Sequence, residues 1–86
     1  MKISVLAHRC AKGDLTEELV WDVVEETQIA ATIERITRDE DIIKFGVTLT
    51  PTVVIEGEIK AMGKIPEREK LVSWLMQHRN KREMAV

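Results

Sequence analysis

Period-two alternation opens the chain. In residues 2–8, Ile3, Val5 and Ala7 fall on one face while Leu6 joins the opposite set. Apolar positions on both faces predict a strand covered from both sides, as in layered α/β sheets. The period then lengthens to that of a helix. From Lys12 to Gln28, Leu15, Leu19, Val20, Val23 and Val24 share one half of the helical wheel, and Glu17, Glu18, Asp22, Glu25 and Glu26 share the other. That division predicts an amphipathic helix buried on one side. Asp14 and Glu17 near its start complement the positive end of the helix dipole. Residues 30–37 predict a second strand, and parallel pairing with the first would complete a right-handed βαβ unit.

The second half changes character. Asp39 is placed to cap a short helix running through Phe45, with Gly46 as its stop. Thr52–Ile55 and Glu58–Met62, separated by Glu56-Gly57, predict a hairpin with a two-residue turn. Val53–Ile55 is continuously apolar and therefore central, whereas Glu58 and Lys60 alternating outward suit an edge strand. Pro66 opens a last helix at a position that tolerates its missing N–H. Leu71, Val72, Leu75 and Met76 form that helix's inward stripe, with Trp74 at its flank. Arg79, Lys81 and Arg82 load its C-terminal end with charge that suits the dipole. The element order is βαβαββα.

Eighty-six residues, 44% hydrophobic and 33% charged, fit a single small domain spanning 1–86. No apolar run approaches the roughly 20 residues of a bilayer span, and residues 1–8 do not read as a signal peptide. The expectation is a cytoplasmic protein without membrane contact. A net charge of −2 argues against a nucleic-acid partner, which normally requires a basic excess. Acidic residues dominate the first half and basic ones the second, which reads as two differently charged solvated faces.

One cysteine excludes an internal disulfide framework, and with His8 and His78 as the only histidines no metal centre is expected. Cys10 falls between the first strand and the first helix, where unpaired backbone N–H groups and the dipole favour an anion. Arg9 and Lys12 flank it, so the thiol is expected to titrate below the free value of about 8.5. The competing reading is a small buried apolar side chain, a common fate of a free cysteine. Thr50-Pro51-Thr52 precedes the central hairpin strand, and a proline there belongs at the strand's first position.

These segments together resemble the thioredoxin superfamily, in particular its small thioredoxin-like "redox-active disulfide protein" branch. The resemblance rests on the Met1-Lys2-Ile3 opening, Cys10-Ala11-Lys12, Thr16 to Val20, Phe45-Gly46-Val47, Thr50 to Ile55, Glu56-Gly57-Glu58, Gly63-Lys64-Ile65-Pro66 and Trp74-Leu75. It implies a thioredoxin-like α/β fold, and the expected sheet is mixed and four-stranded in the order 2-1-3-4. It also implies Cys10 as nucleophile, with a cis Thr50-Pro51 segment facing it as a docking rail for substrate and Gly63 allowing the chain to pass close beside that rail. The implied substrates are protein or small-thiol disulfides, with no metal or organic cofactor; glutathione or another small thiol would act as co-substrate.

The sequence departs from the family at one decisive position. Where the family has Cys-x-x-Cys, this chain reads Cys10-Ala11-Lys12-Gly13. Dithiol enzymes release product when the second cysteine attacks the mixed disulfide, and Gly13 cannot. Three readings remain open: exchange through a single thiol resolved from outside, a binding or regulatory module that has lost redox work, and reversible capping or Cys10–Cys10 dimerisation. Trp21 falls on the acidic half of its helix, which marks that face as a candidate homodimer surface; the plainer reading is a surface ring packed over neighbouring stems.

Overall fold

The computed structural model describes residues 1–84, excluding the side chains of residues 82–84; the charge expected of Arg82 lies outside the described residues. The elements are β1 (Lys2–Leu6), α1 (Ala11–Thr27), β2 (Thr32–Ile36), α2 (Asp39–Ile43), β3 (Thr52–Ile55), β4 (Glu58–Met62) and α3 (Arg68–Met84). The sheet order is β2-β1-β3-β4. Strand β1 pairs parallel with β2, through Val5 opposite Arg35 and Leu6 opposite Ile36, and antiparallel with β3, through Leu6 opposite Thr52. The element order and mixed 2-1-3-4 sheet agree with the sequence expectation. The predicted strands over 2–8 and 30–37 are trimmed at their ends, as fraying terminal residues commonly are.

The two faces of β1 explain its apolar alternation. Ile3 and Val5 face a core built with Val20 and Val23 of α1, Val53 and Ile55 of β3, and Leu71 and Leu75 of α3. Leu6 faces a second, smaller cluster with Val54, Ile42 of α2 and Val47. Full burial of Leu71 and Leu75 stabilises the closing helix by roughly 1.5–3 kcal/mol each. Helices α1 and α3 thus cover one face, and the short α2 covers the other.

Several expectations are corrected. Leu15, assigned inward, is 54% exposed, and the inward line of α1 runs instead through Gly13, Thr16, Val20 and Val23. Thr16 fits that interface because its Oγ1 donates to the Lys12 carbonyl at 2.7 Å, leaving no unpaired hydroxyl. Asp39 does not cap α2: Arg38 is the N-cap residue, without a side-chain cap bond, and the Asp39 carboxylate pairs with His8 Nε2. Pro66 lies buried ahead of α3, whose first turn is secured by Leu71 N–H donating to the Glu67 carbonyl at 3.0 Å.

The hairpin turn is tight as expected, with Glu56 at φ 51° and Gly57 at φ 82°, the paired positive values that suit a two-residue connection. Alternation in β4 is broken, however. Val53 pairs with Ala61 while Val54 pairs with Ile59, so Lys60 is the extra residue of a bulge. Ala61 consequently turns inward while Ile59 and Met62 remain exposed.

Beyond β4 the chain folds back on the start of β3. Gly63 N–H donates to the Pro51 carbonyl at 2.8 Å, and Gly63 sits at φ 79°. A Cβ there would meet Leu49 Cβ at 3.3 Å. Gly63→Ala should therefore lower unfolding stability by about 1–2 kcal/mol through left-handed backbone cost, measured by urea titration; an unchanged midpoint would contradict this account of the turn.

His78 of α3 is only 4% exposed, and its Nε2 stands 3.4 Å from Glu58 Oε2 without forming a hydrogen bond among the described residues. Burial chiefly, then the Lys60 and Lys81 cations, push it below its ordinary 6.5 against the upward pull of Glu58 and Glu56. The fold therefore favours neutral imidazole. As pH falls through 6.5 the unfolded chain takes up this proton first, so the stability tied to His78 is full above that value and declines below it. The urea midpoint should drop between about pH 7.5 and about pH 5.5, and His78→Gln should flatten that slope; parallel slopes would remove His78 as its source.

Candidate functional site

Strand register brings three segments to one end of the sheet. Leu6 lies opposite both Ile36 and Thr52, so the chain leaving β1, the chain leaving β2 and the chain entering β3 meet there. Cys10 lies four residues past Leu6, and Pro51 immediately precedes Thr52. Parallel strands flanked by helices characteristically gather their loops, and with them their chemistry, at this carboxyl end.

Cys10 is the N-cap residue of α1, with extended backbone at φ −155° and ψ 165°. Its carbonyl accepts the first helical bond, from Asp14 N–H at 3.0 Å, and its Sγ accepts from Gly13 N–H at 3.4 Å. A sulfur here replaces the usual oxygen of a capping serine or aspartate. Cys10 is exposed, which sets aside its reading as a buried apolar side chain. Arg9 and Lys12 are also exposed, and neither makes an ion pair with another described residue; the polar partner of Sγ is the Gly13 amide.

The Thr50–Pro51 peptide bond is cis. Pro51 is buried, Thr50 is half-buried, and Thr52 Oγ1 donates to the Leu49 carbonyl at 2.6 Å, fixing the corner at the start of β3. Thr50 and His8 line one cavity of about 310 Å³ together with Asp39, Ile42, Ile43, Val47 and Thr48. This groove has an apolar floor supplied by α2 and the loop after it. One wall is the segment leading to Cys10 and the other is the threonine before the cis bond. The pair of His8 with Asp39 ties that first wall to the start of α2.

Arg35 escaped the sequence reading. It lies on β2 beside Val5, its side chain only 14% exposed, and its guanidinium reaches under the Cys10 loop. Nε donates to the Ala7 carbonyl at 3.0 Å and Nη2 to the His8 carbonyl at 2.6 Å. Nη1 donates to Asp14 Oδ1 at 3.1 Å and Glu17 Oε1 at 3.0 Å. A lone arginine within a short strand of alternating residues resembles a solvent-facing position, so the sequence offered no local signal; only the parallel pairing aims it at the loop. Gly13 in the first turn of α1 was the indirect clue. It is buried, as a residue at a close crossing must be.

Trp21 lies away from this end, 52% exposed on the outer face of α1, with its indole N–H donating to Glu17 Oε2 at 3.3 Å. Among the described residues no group of three or more His, Cys, Asp or Glu side chains is arranged to hold a metal ion. No helix among them is long and apolar enough to cross a membrane.

Comparison with known proteins agrees with the geometry. The family described as "Thioredoxin domain" matches residues 1–76. A protein named "Thioredoxin" from Methanothermobacter thermautotrophicus is 31% identical over 71 residues, covering 83% of this chain and 92% of that protein. A family match over most of the chain, joined to the 2-1-3-4 sheet and the helix-capping cysteine, shows that the chain belongs to the thioredoxin family.

Proposed function

We propose that the protein carries out thiol–disulfide exchange through Cys10 alone, with a thiol from outside the chain completing each cycle. The observation that carries this reading is the exposed Cys10 sulfur held at the N-cap of α1, in a family whose general role is redox work on disulfides. The attacking species in such chemistry is the thiolate, and a helix N-terminus is a favourable place for an anion.

Two displacements make up the cycle. Cys10 gives its proton to solvent, and the thiolate attacks one sulfur of a disulfide. A Cys10–substrate disulfide forms as the original bond breaks, and the second substrate sulfur leaves as a thiolate that takes up a proton. A second thiol, from glutathione, another small thiol or a protein, then attacks the mixed disulfide and restores Cys10. Position 13 is glycine, and with Cys10 the one cysteine in the sequence there is no second thiol for that last displacement.

Thr50 and Pro51 form the rail along which an extended substrate strand would dock, with Gly63 bracing it through the bond to the Pro51 carbonyl. The apolar floor at Ile42, Ile43 and Val47 would receive a side chain beside the substrate cysteine. Arg9 and Lys12 add positive charge around the sulfur without touching it. Protein disulfides and disulfides of small thiols are the substrates this arrangement fits, and it calls on no resident cofactor.

The same groove supports a second reading, a binding module that grips extended segments without exchanging sulfur. Incubation with glutathione disulfide separates the two. The exchange reading expects one glutathione added per wild-type chain, seen by mass spectrometry, released by a dithiol and absent in Cys10→Ser. Serine is an equally good N-cap residue, so the variant should keep its stability within about 0.5 kcal/mol. Wild-type protein that stays unmodified, while both forms bind the same extended peptides equally, would establish the module instead.

A further inference from the structure

Position 13 is not an empty place where a second thiol used to be. A Cβ built there would stand 2.4 Å from Arg35 Nη2, 2.8 Å from Ala7 Cβ and 2.9 Å from the His8 carbonyl oxygen, all closer than real Cβ contacts come. Ordinarily the tip of an arginine would swing aside. This one is held on every nitrogen: Nε and Nη2 by the Ala7 and His8 carbonyls, and Nη1 by the Asp14 and Glu17 carboxylates. Moving it would strand the part-buried Ala7 carbonyl and Glu17 carboxylate, and an unsatisfied buried polar group is costly, whereas the His8 carbonyl and Asp14 carboxylate are open to water. The other two close contacts belong to the two residues just past the end of β1, where Ala7 N–H also donates to the Ile36 carbonyl at 2.9 Å, so Arg35 shares the exclusion of a side chain with the strand end. Lysine cannot replace it, because one ammonium cannot reach the four acceptors that the planar fork serves.

Gly13 is also the residue whose N–H donates to the Cys10 sulfur. Whatever fixes Gly13 therefore fixes the amide that faces Sγ. We propose that Arg35 is a positioning residue for Cys10: its guanidinium fills the space a side chain at position 13 would need and clamps the first turn of α1 beneath the sulfur. A resolving thiol in cis is thereby excluded by packing, and release must come from another molecule. That last consequence rests on the exchange reading above; the packing claim does not.

A double-mutant cycle tests the packing directly and involves no sulfur chemistry. Gly13→Ala, Arg35→Met and the double variant are compared with wild type by urea unfolding. Gly13→Ala should lower the midpoint sharply in the wild-type background and by a measurably smaller amount beside Arg35→Met, where the contacts with Ala7 and His8 remain. Equal losses in the two backgrounds would overturn the proposal, as would a Gly13→Ala midpoint indistinguishable from wild type.

Positioning is read separately from the native-state rate of Cys10 alkylation by iodoacetamide. Arg35→Met and Arg35→Lys should each change that rate severalfold in the same direction, so that lysine gives no rescue. Rates equal to wild type in both variants would reduce Arg35 to a structural ion pair. A third measurement guards against misfolding of the alanine variant. Gly13→Cys, with and without Arg35→Met, is placed in glutathione disulfide, where closing a disulfide between Cys10 and the introduced thiol converts one glutathione disulfide into two thiols. Closure should be at least tenfold faster in the double variant; Gly13→Cys alone closing as fast, at the wild-type urea midpoint, would overturn the proposal. Should wild-type Cys10 prove inert to glutathione disulfide, the exchange reading fails while the urea cycle still decides the packing claim.

Discussion

The site depends on how closely the first turn of α1 crosses the carboxyl end of β1. At that crossing there is room for Gly13 and for nothing larger. Helix N-termini leave backbone donors unpaired, and strand ends leave carbonyls in need of donors. Here the two deficits lie side by side and are met differently. Arg35 crosses from β2 to take up the carbonyls of Ala7 and His8, while the Cys10 sulfur accepts one of the helix donors. One cation therefore welds strand, loop and helix together, and the sulfur is left at the exposed edge of that weld. The loop carrying Cys10 is consequently held by hydrogen bonds from three directions, and a rigidly supported first residue is what ordered reactivity at a loop demands.

Much of this was legible in the sequence because much of it is set by periodicity. Val53–Ile55 can be continuously apolar only if both faces of that strand are covered, and β1 on one side with β4 on the other follows from the order of elements. The hairpin turn was readable because Gly57 tolerates positive φ and the two apolar runs stand two residues apart, although Glu56 at φ 51° adopts that conformation less readily than an asparagine would. Cys10 was readable because the change from period two to period 3.6 brackets it. Errors arose where tertiary contact overrules a local rule. A helical wheel locates a stripe only to within its width, and the actual inward line is carried by small residues, Gly13 and Thr16, which hydrophobicity ranks low. Leu15 was misplaced for that reason. The bulge at Lys60 left no trace in the residue pattern, since alternation looked intact until the register with Val53 and Val54 was known.

The candidate site divides along the same line. Its cysteine, Cys10, and its Thr50-Pro51 corner were named from sequence, because each sits at the boundary of an element. Its support was not. Arg35 lies in the middle of a strand, and Asp39, expected to cap its own helix, reaches instead to His8. Both act on residues far away along the chain, and nothing local distinguishes them from surface charges. Long-range polar partners of this kind are chosen by geometry that only the folded sheet supplies.

Loss of a second cysteine is easily read as decay of an enzyme into a scaffold. The surroundings of Gly13 show a packed position rather than a vacated one. A position merely relieved of its side chain would leave space behind, and cavities in a small core are destabilising in proportion to their volume. Here the space is filled, by a group whose polar atoms are matched to acceptors on the β1 exit and on α1. Such complementarity constrains Gly13 and Arg35 jointly: neither can change alone without disturbing the other. The constraint falls on the orientation of the Gly13 N–H toward the Cys10 sulfur.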